Sequence, residues 1–289
     1  MGILRVLYFL LKDRPETSVA MLLWIALGLY CLGLVFTTPS IASRRPALPR
    51  PALIALGCGL ALHGAWLVMA GLRLHHLPVT DVRSAISFFA FDLTLAFLII
   101  YLRYRLVWLG LFMLPFVFLL ALGAAVQAGP SFGSASFRGG WIAVHVASMF
   151  LGYTGFFITF AAAAMYLIQE RQLKSKHVRP LYQRLPSLEV CDRLYYRSLV
   201  FGNIFLALGL ITGFVWASRT WRGAWEYDPK IVATMVTWLI YLVLFSARAS
   251  GTWPGRRSAY GAIFGFAAVM VTFLGVSFLS GQHGFLPRP

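Results

Sequence analysis

The sequence predicts an all-α, polytopic integral membrane protein with about eight transmembrane helices in one bundle, and three observations carry that prediction. Hydrophobic residues make up 60% of the 289 and charged residues only 12%, which is too little polar surface to cover a soluble globule of this size. Eight apolar runs, at 19–39, 52–72, 85–102, 107–127, 141–169, 198–217, 231–247 and 259–279, are each long enough to cross a bilayer, which takes about 20 residues. No run alternates with the two-residue period of a barrel strand, and lipid cannot satisfy an open backbone, so helices are the remaining solution.

Residues 1–17 stand apart as an interfacial lead-in. The apolar stretch 3–11 is too short to span, Arg5 and Lys12 flank it, and no small-residue cleavage site follows, which argues against a cleaved signal peptide. Residues 18–289 then form the transmembrane domain. The first two runs carry Cys31 and Cys58; with Cys191 these are the three cysteines, and no CxxC exists, so the chain does not itself manage thiols. The second run also holds His63 and the third holds Asp92. On adjacent antiparallel helices these two lie at similar depth. A carboxylate in hydrocarbon normally has a partner or a pathway, so an Asp92–His63 hydrogen bond is expected, either orienting His63 as a transient metal ligand or simply gluing the two helices.

The connection between runs two and three, HHLPVTDVR, offers His75, His76 and Asp81, but two adjacent side chains on an irregular loop do not complete a metal site. The Gly- and Ser-rich stretch 128–140 reads as a flexible lid. Run five opens with WIAVHV, placing His145 near its mouth. The following segment 171–197 reads as a helical extension and then a basic connector broken by Pro180 and Pro186. It holds Arg171, Lys174, Lys176, Arg179, Arg184, Arg193 and Arg197. In run six, Gly202, Gly209 and Gly213 suit close helix packing. His283 follows the last run, in SGQHGF.

Lys and Arg orient the bundle, because cytoplasmic loops carry the excess. The connections after runs one, three, five and seven hold 15 of the 25 Lys and Arg residues. That face is read as cytoplasmic, with both termini outside. The net charge of +16 then reflects topology and anionic headgroups of the lipid bilayer; no stacking module or base-reading helix is visible, and nucleic acid is set aside as a partner.

The segment TWRGAWEYDPK, 220–230, carries the most chemistry. Trp221, Trp225 and Tyr227 offer flat rings, while Arg219, Arg222 and Lys230 can meet carboxylates. This suits a flat, hydrophobic, anionic ligand such as haem. His145, His283 and this loop share the outer face in the assigned topology, and two neutral imidazoles can supply both axial ligands of a haem iron. Bland readings stand beside each residue: aromatic residues belt membrane interfaces, a histidine at a helix end is often only polar surface, and Asp228–Pro229 is an ordinary helix start, a capping side chain followed by proline. A permease using His63 and Asp92 at mid-membrane is a further alternative, though no repeated halves are seen.

The order of WIAVHV, PSLEVCDRLYYR, TGFVWASRTWRGAWEYDPK, ARASGTWPGRRSAYGAIFGF and a C-terminal histidine resembles the CcsA or ResC family of haem-handling cytochrome c assembly proteins, relatives of CcmC and CcmF. The resemblance runs from HHLPVTDVRSAISFF to the C-terminus. It implies a WWD-like tryptophan-rich loop that binds haem b through Trp221, Arg222, Trp225, Tyr227 and Asp228. His145 and His283 are the implied axial ligands. It also implies a ResB or CcsB-type membrane partner, apocytochrome c with CxxCH as acceptor, and the bacterial inner membrane as location. No catalytic residue is implied beyond this positioning. The loop departs from the family pattern at Arg222, Tyr227 and Ile231, and Phe245 stands where the family often has a histidine ahead of Arg248. The YpjD and HemX-like membrane relatives, which lack haem-ligase machinery, are the alternative that these departures keep open.

Overall fold

A computed structural model of the chain describes residues 15–41, 47–74, 78–79, 82–126, 140–174, 185–220 and 225–275. Regular structure among them is entirely helical: α1 (Pro15–Ile41), α2 (Arg50–Leu74), α3 (Val82–Tyr104), α4 (Val107–Val126), α5 (Gly140–Lys174), α6 (Leu188–Thr220), α7 (Pro229–Ala249) and α8 (Arg256–Met270). A short 3-10 turn, Trp225–Tyr227, precedes α7, and α8 continues as a π turn over Val271–Gly275. Seven of these helices, α1 to α7, are long and apolar enough to cross a membrane; α8 begins at Arg256, just before the eighth apolar run. The protein is therefore a multi-pass membrane protein. Of the lead-in, residues 1–14 lie outside the described residues, and Pro15 already opens α1.

The largest departure from expectation is at α6. The segment Leu188–Tyr196 is helical rather than connecting loop, so α6 starts ten residues before the apolar run that announced it. Pro186 and Ser187 precede its first turn, and Cys191 N donates to the Ser187 carbonyl at 3.0 Å. The polar residues here are amphipathic helix, which an apolarity threshold cannot see. α5 does extend past its apolar run, to Lys174, as expected.

Packing divides the bundle into two four-helix groups set side by side. Helix α1 packs on α2 and α4, and α3 packs on α2 and α4; likewise α5 packs on α6 and α8, and α7 packs on α6 and α8. Helix α5 also meets α3 and α4, and so is the wall common to both groups. Where consecutive helices turn sharply, the backbone is special: Arg105, between α3 and α4, has φ 55°, while Gly251 and Gly255, between α7 and α8, have φ 72° and 55°. The core of each group is mostly apolar, and the polar side chains of its spans are turned inward. On α7, Val232, Val236, Leu239 and Val243 are exposed while Thr234, Thr237, Tyr241 and Leu244 are buried, the polarity expected of a helix that faces lipid on one side and other helices on the other.

Among the described residues, glycines let the α5 and α6 backbones approach each other directly. A Cβ placed on Gly155 would lie 2.8 Å from the Gly202 nitrogen and Cα, and one on Gly152 would lie 2.9 Å from Leu206 N. Met149 packs over Gly209 and the His145 ring over Gly213. The pairs 145–213, 149–209, 152–206 and 155–202 run in opposite directions along the two chains, which fixes the helices as antiparallel. Gly202, Gly209 and Gly213 thus have the close-packing role their spacing suggested. Gly155→Ala is expected to destabilise the fold by about 1–3 kcal/mol through overpacking against backbone. Gly28→Ala on α1, whose new Cβ would meet nothing within 4 Å, is expected to be neutral or slightly stabilising. Thermal unfolding of the two variants in detergent checks the contrast.

Candidate functional site

The antiparallel register of α5 and α6 brings the start of α5 beside the end of α6, and that end is where the aromatic segment leaves toward α7. His145 is partly buried there. Its Nδ1 lies 2.7 Å from the Gly209 carbonyl oxygen, and its ring occupies the space that a side chain at Gly213 would fill. One turn earlier, Trp141 keeps half its surface exposed while its indole Nε1 donates to the Thr212 carbonyl at 3.0 Å. His145 and the 3-10 turn at Trp225–Tyr227 therefore belong to one end of the second helical group.

Within the aromatic segment, the backbone of Trp225, Glu226 and Tyr227 forms the 3-10 turn, and the Tyr227 side chain is 80% exposed. Asp228 is buried, and its Oδ1 accepts from Lys230 N at 3.0 Å, with Pro229 at the first helical position. This is a helix N-cap, so the ordinary reading of the Asp-Pro pair is the geometry found. Trp221, Arg222, the side chain of Trp225 and His283 lie outside the described residues, as do His75, His76 and Asp81.

The expected pairing of His63 with Asp92 is corrected by the structure. His63 is fully buried and both ring nitrogens are engaged inside the first group: Nδ1 faces the Tyr30 hydroxyl at 3.1 Å and Nε2 the Ser87 hydroxyl at 2.7 Å. Tyr30, Trp66 and Phe91 ring it at centroid distances of 5.8, 6.2 and 5.8 Å. Asp92 instead accepts from the Thr154 hydroxyl at 2.6 Å, across to α5. The reason is angular. Ser87 and Asp92 are five residues apart on α3, about 140° around the helix at roughly 100° per residue, so one faces α2 and the other α5 although their depths are close. With both nitrogens within hydrogen-bonding distance of hydroxyls, His63 ties α1, α2 and α3 together.

The far end of the second group holds a feature that sequence reading missed. Arg248, at the end of α7, forms an ion pair with Asp192 at the start of α6. Beside it, Ser258 donates to the Tyr195 hydroxyl at 2.7 Å. The signal was present: Thr234, Thr237, Tyr241 and Arg248 follow one another at helical spacings on α7. Among the described residues no group of three or more His, Cys, Asp or Glu side chains is arranged to hold a metal ion.

Known proteins resemble this chain over most of its length. The family described as Cytochrome C assembly protein matches residues 20–283. The chain is 28% identical over 261 residues to the cytochrome c biogenesis protein CcsA of Prochlorococcus marinus subsp. pastoris, covering 81% of each chain. It is 26% identical over 268 residues to that of Chlorella vulgaris, covering 81% of this chain and 85% of the relative. A third relative of the same name, from Guillardia theta, is 34% identical over 164 residues, about half of either chain (51% and 54%).

Asp228→Ala is expected to destabilise α7 by about 0.5–2 kcal/mol through loss of the cap, with Asp228→Asn retaining most of it. Equal losses for the two in thermal unfolding would remove capping as the role. Ser87→Ala strands one nitrogen of a fully buried imidazole and is expected to cost about 1–3 kcal/mol, read in the same assay.

Proposed function

The chain belongs to the cytochrome c assembly protein family and serves cytochrome c biogenesis; from that premise we propose that it holds haem b at its outer face and presents it for covalent attachment to apocytochrome c. The observation that carries this reading is the seating of His145. Its Nδ1 is directed at the Gly209 carbonyl, the arrangement that metal-ligating histidines commonly use to fix the ring, and it sits at the end of the bundle from which the tryptophan-rich segment departs.

The residues present fit the group. A neutral imidazole fastened through one nitrogen can hold a haem iron through its other nitrogen, with His283 as the second such residue in this reading. Trp221 and Trp225 supply apolar ring faces for the macrocycle, Tyr227 an exposed phenol, and Arg222 a partner for propionates. Asp228 holds the segment's end in place by capping α7. When bound, haem supplies the iron for these imidazoles and the vinyl groups that acceptor thiols attack. The work of the chain itself is positioning: it fastens one imidazole to a rigid helix pair and keeps the aromatic segment beside it. The acceptor in this proposal is apocytochrome c carrying CxxCH, held by a ResB or CcsB-type membrane partner. The membrane is the bacterial inner membrane, with both termini and the aromatic segment outside, as the Lys and Arg distribution supports.

The test is the visible absorption spectrum of the full chain purified from haem-replete cells, beside His145→Ala and His283→Ala. A low-spin haem spectrum in the parent protein, weakened or shifted by each substitution, is the expected result. A colourless protein, indifferent to both changes, would favour the related membrane proteins without haem-ligase machinery, to which Arg222, Tyr227, Ile231 and Phe245 already lean.

A further inference from the structure

The His145 imidazole is fastened to the backbone through Nδ1, and a backbone partner has chemical content. A carbonyl oxygen only accepts hydrogen bonds, so the nitrogen facing the Gly209 carbonyl carries the proton. In the neutral ring the lone pair is then on Nε2. Three further residues hold this arrangement. Trp141 and His145 lie one turn apart on α5 and donate to the Thr212 and Gly209 carbonyls, three residues apart on α6, a two-point attachment that prevents rotation of α5 against α6. The Thr212 hydroxyl lies 2.8 Å from the Leu208 carbonyl oxygen and 3.0 Å from that of Gly209, so its single proton is shared between them and draws on the same oxygen that His145 uses. Gly213 leaves the ring its place: a Cβ there would lie 2.6 Å from Cε1 and 2.7 Å from Nδ1 of His145.

We infer that Trp141, Thr212 and Gly213 are positioning residues that lock His145 in the Nδ1–H tautomer and present Nε2 to the haem iron, with the Thr212 hydroxyl setting how strongly the Gly209 carbonyl pulls on the Nδ1 proton. This rests on the haem-holding reading, and its consequence is directional. Removing the hydroxyl gives the carbonyl wholly to His145, strengthens the Nδ1–H bond and makes Nε2 a stronger donor. An iron bound there is then held with its ferric state favoured.

The haem-free full chain, labelled with 15N in histidine and held in lipid nanodiscs, provides the first test. The His145 signals, identified by their loss in His145→Ala, are expected to show a protonated Nδ1 and an unprotonated Nε2. Thr212→Val is expected to move the Nδ1 signal, Thr212→Ser to restore it, and Gly213→Ala to displace the ring and abolish the single tautomer; Thr212→Val decides the matter alone if the glycine variant does not fold. In protein purified with haem, Thr212→Val is expected to lower the midpoint potential and Thr212→Ser to return it. A wild-type His145 protonated on Nε2, or resonances that neither Thr212→Val nor Gly213→Ala moves, overturns the inference even where haem binds through His145. Resonances that behave as expected in a protein that takes no haem would leave the tautomer lock standing and end the haem-holding reading instead.

Discussion

The approach of α5 to α6 is the contact on which the rest of the molecule depends. Between helices in lipid there is no hydrophobic gain, since the surrounding chains are as apolar as leucine, and association comes from close packing and interhelical hydrogen bonds. Glycines at 152, 155, 202, 209 and 213 remove the side chains that would hold the two backbones apart. Only because the helices come this near do the α6 carbonyls lie within reach of an indole and an imidazole on α5. Packing of one stripe of small residues and orientation of a histidine are one structural fact seen twice.

The same environment explains where polarity is found. Several hydroxyls inside the two groups are paired with one another or turned back on their own helix: Thr237 meets Thr272 at 2.8 Å, Thr159 meets Ser198 at 2.8 Å, and Thr234 donates to the Lys230 carbonyl at 2.7 Å. Asp92 and His63, the two costliest groups at membrane depth, each have hydroxyl partners instead of each other. Neutral donors suit that setting, because pairing two opposite charges in hydrocarbon carries a desolvation penalty that their attraction does not reliably recover.

How much of this was legible in the sequence follows from what each signal measures. Apolar run length located the seven described helices that are long enough to cross a membrane, and the start of α8, because crossing lipid demands that length whatever the neighbours. It misplaced the start of α6, where Leu188–Tyr196 forms helix from residues that face water and protein. Glycine spacing on α6 announced a close contact but not its partner; α5 became identifiable only through Gly152 and Gly155 opposite. Depth alone suggested His63 with Asp92, and depth says nothing of angle around a helix. For the candidate site, Asp228–Pro229 was readable as a cap from local chemistry, whereas the seat of His145 includes the Gly209 backbone carbonyl, which no residue name reveals.

Helix α5 touches both groups: it carries His145 near one end, Thr154 at mid-depth facing Asp92 of the first group, and Phe150 and Tyr153 against the α8 π turn through Phe273. A rod clamped at so many points along its length moves as a unit or not at all. The first four helices, which hold no residue of the aromatic segment, are thereby made a party to the stiffness of the imidazole's mount: they act as a buttress, and the precision at one mouth of the second group is borrowed from the mass of the first.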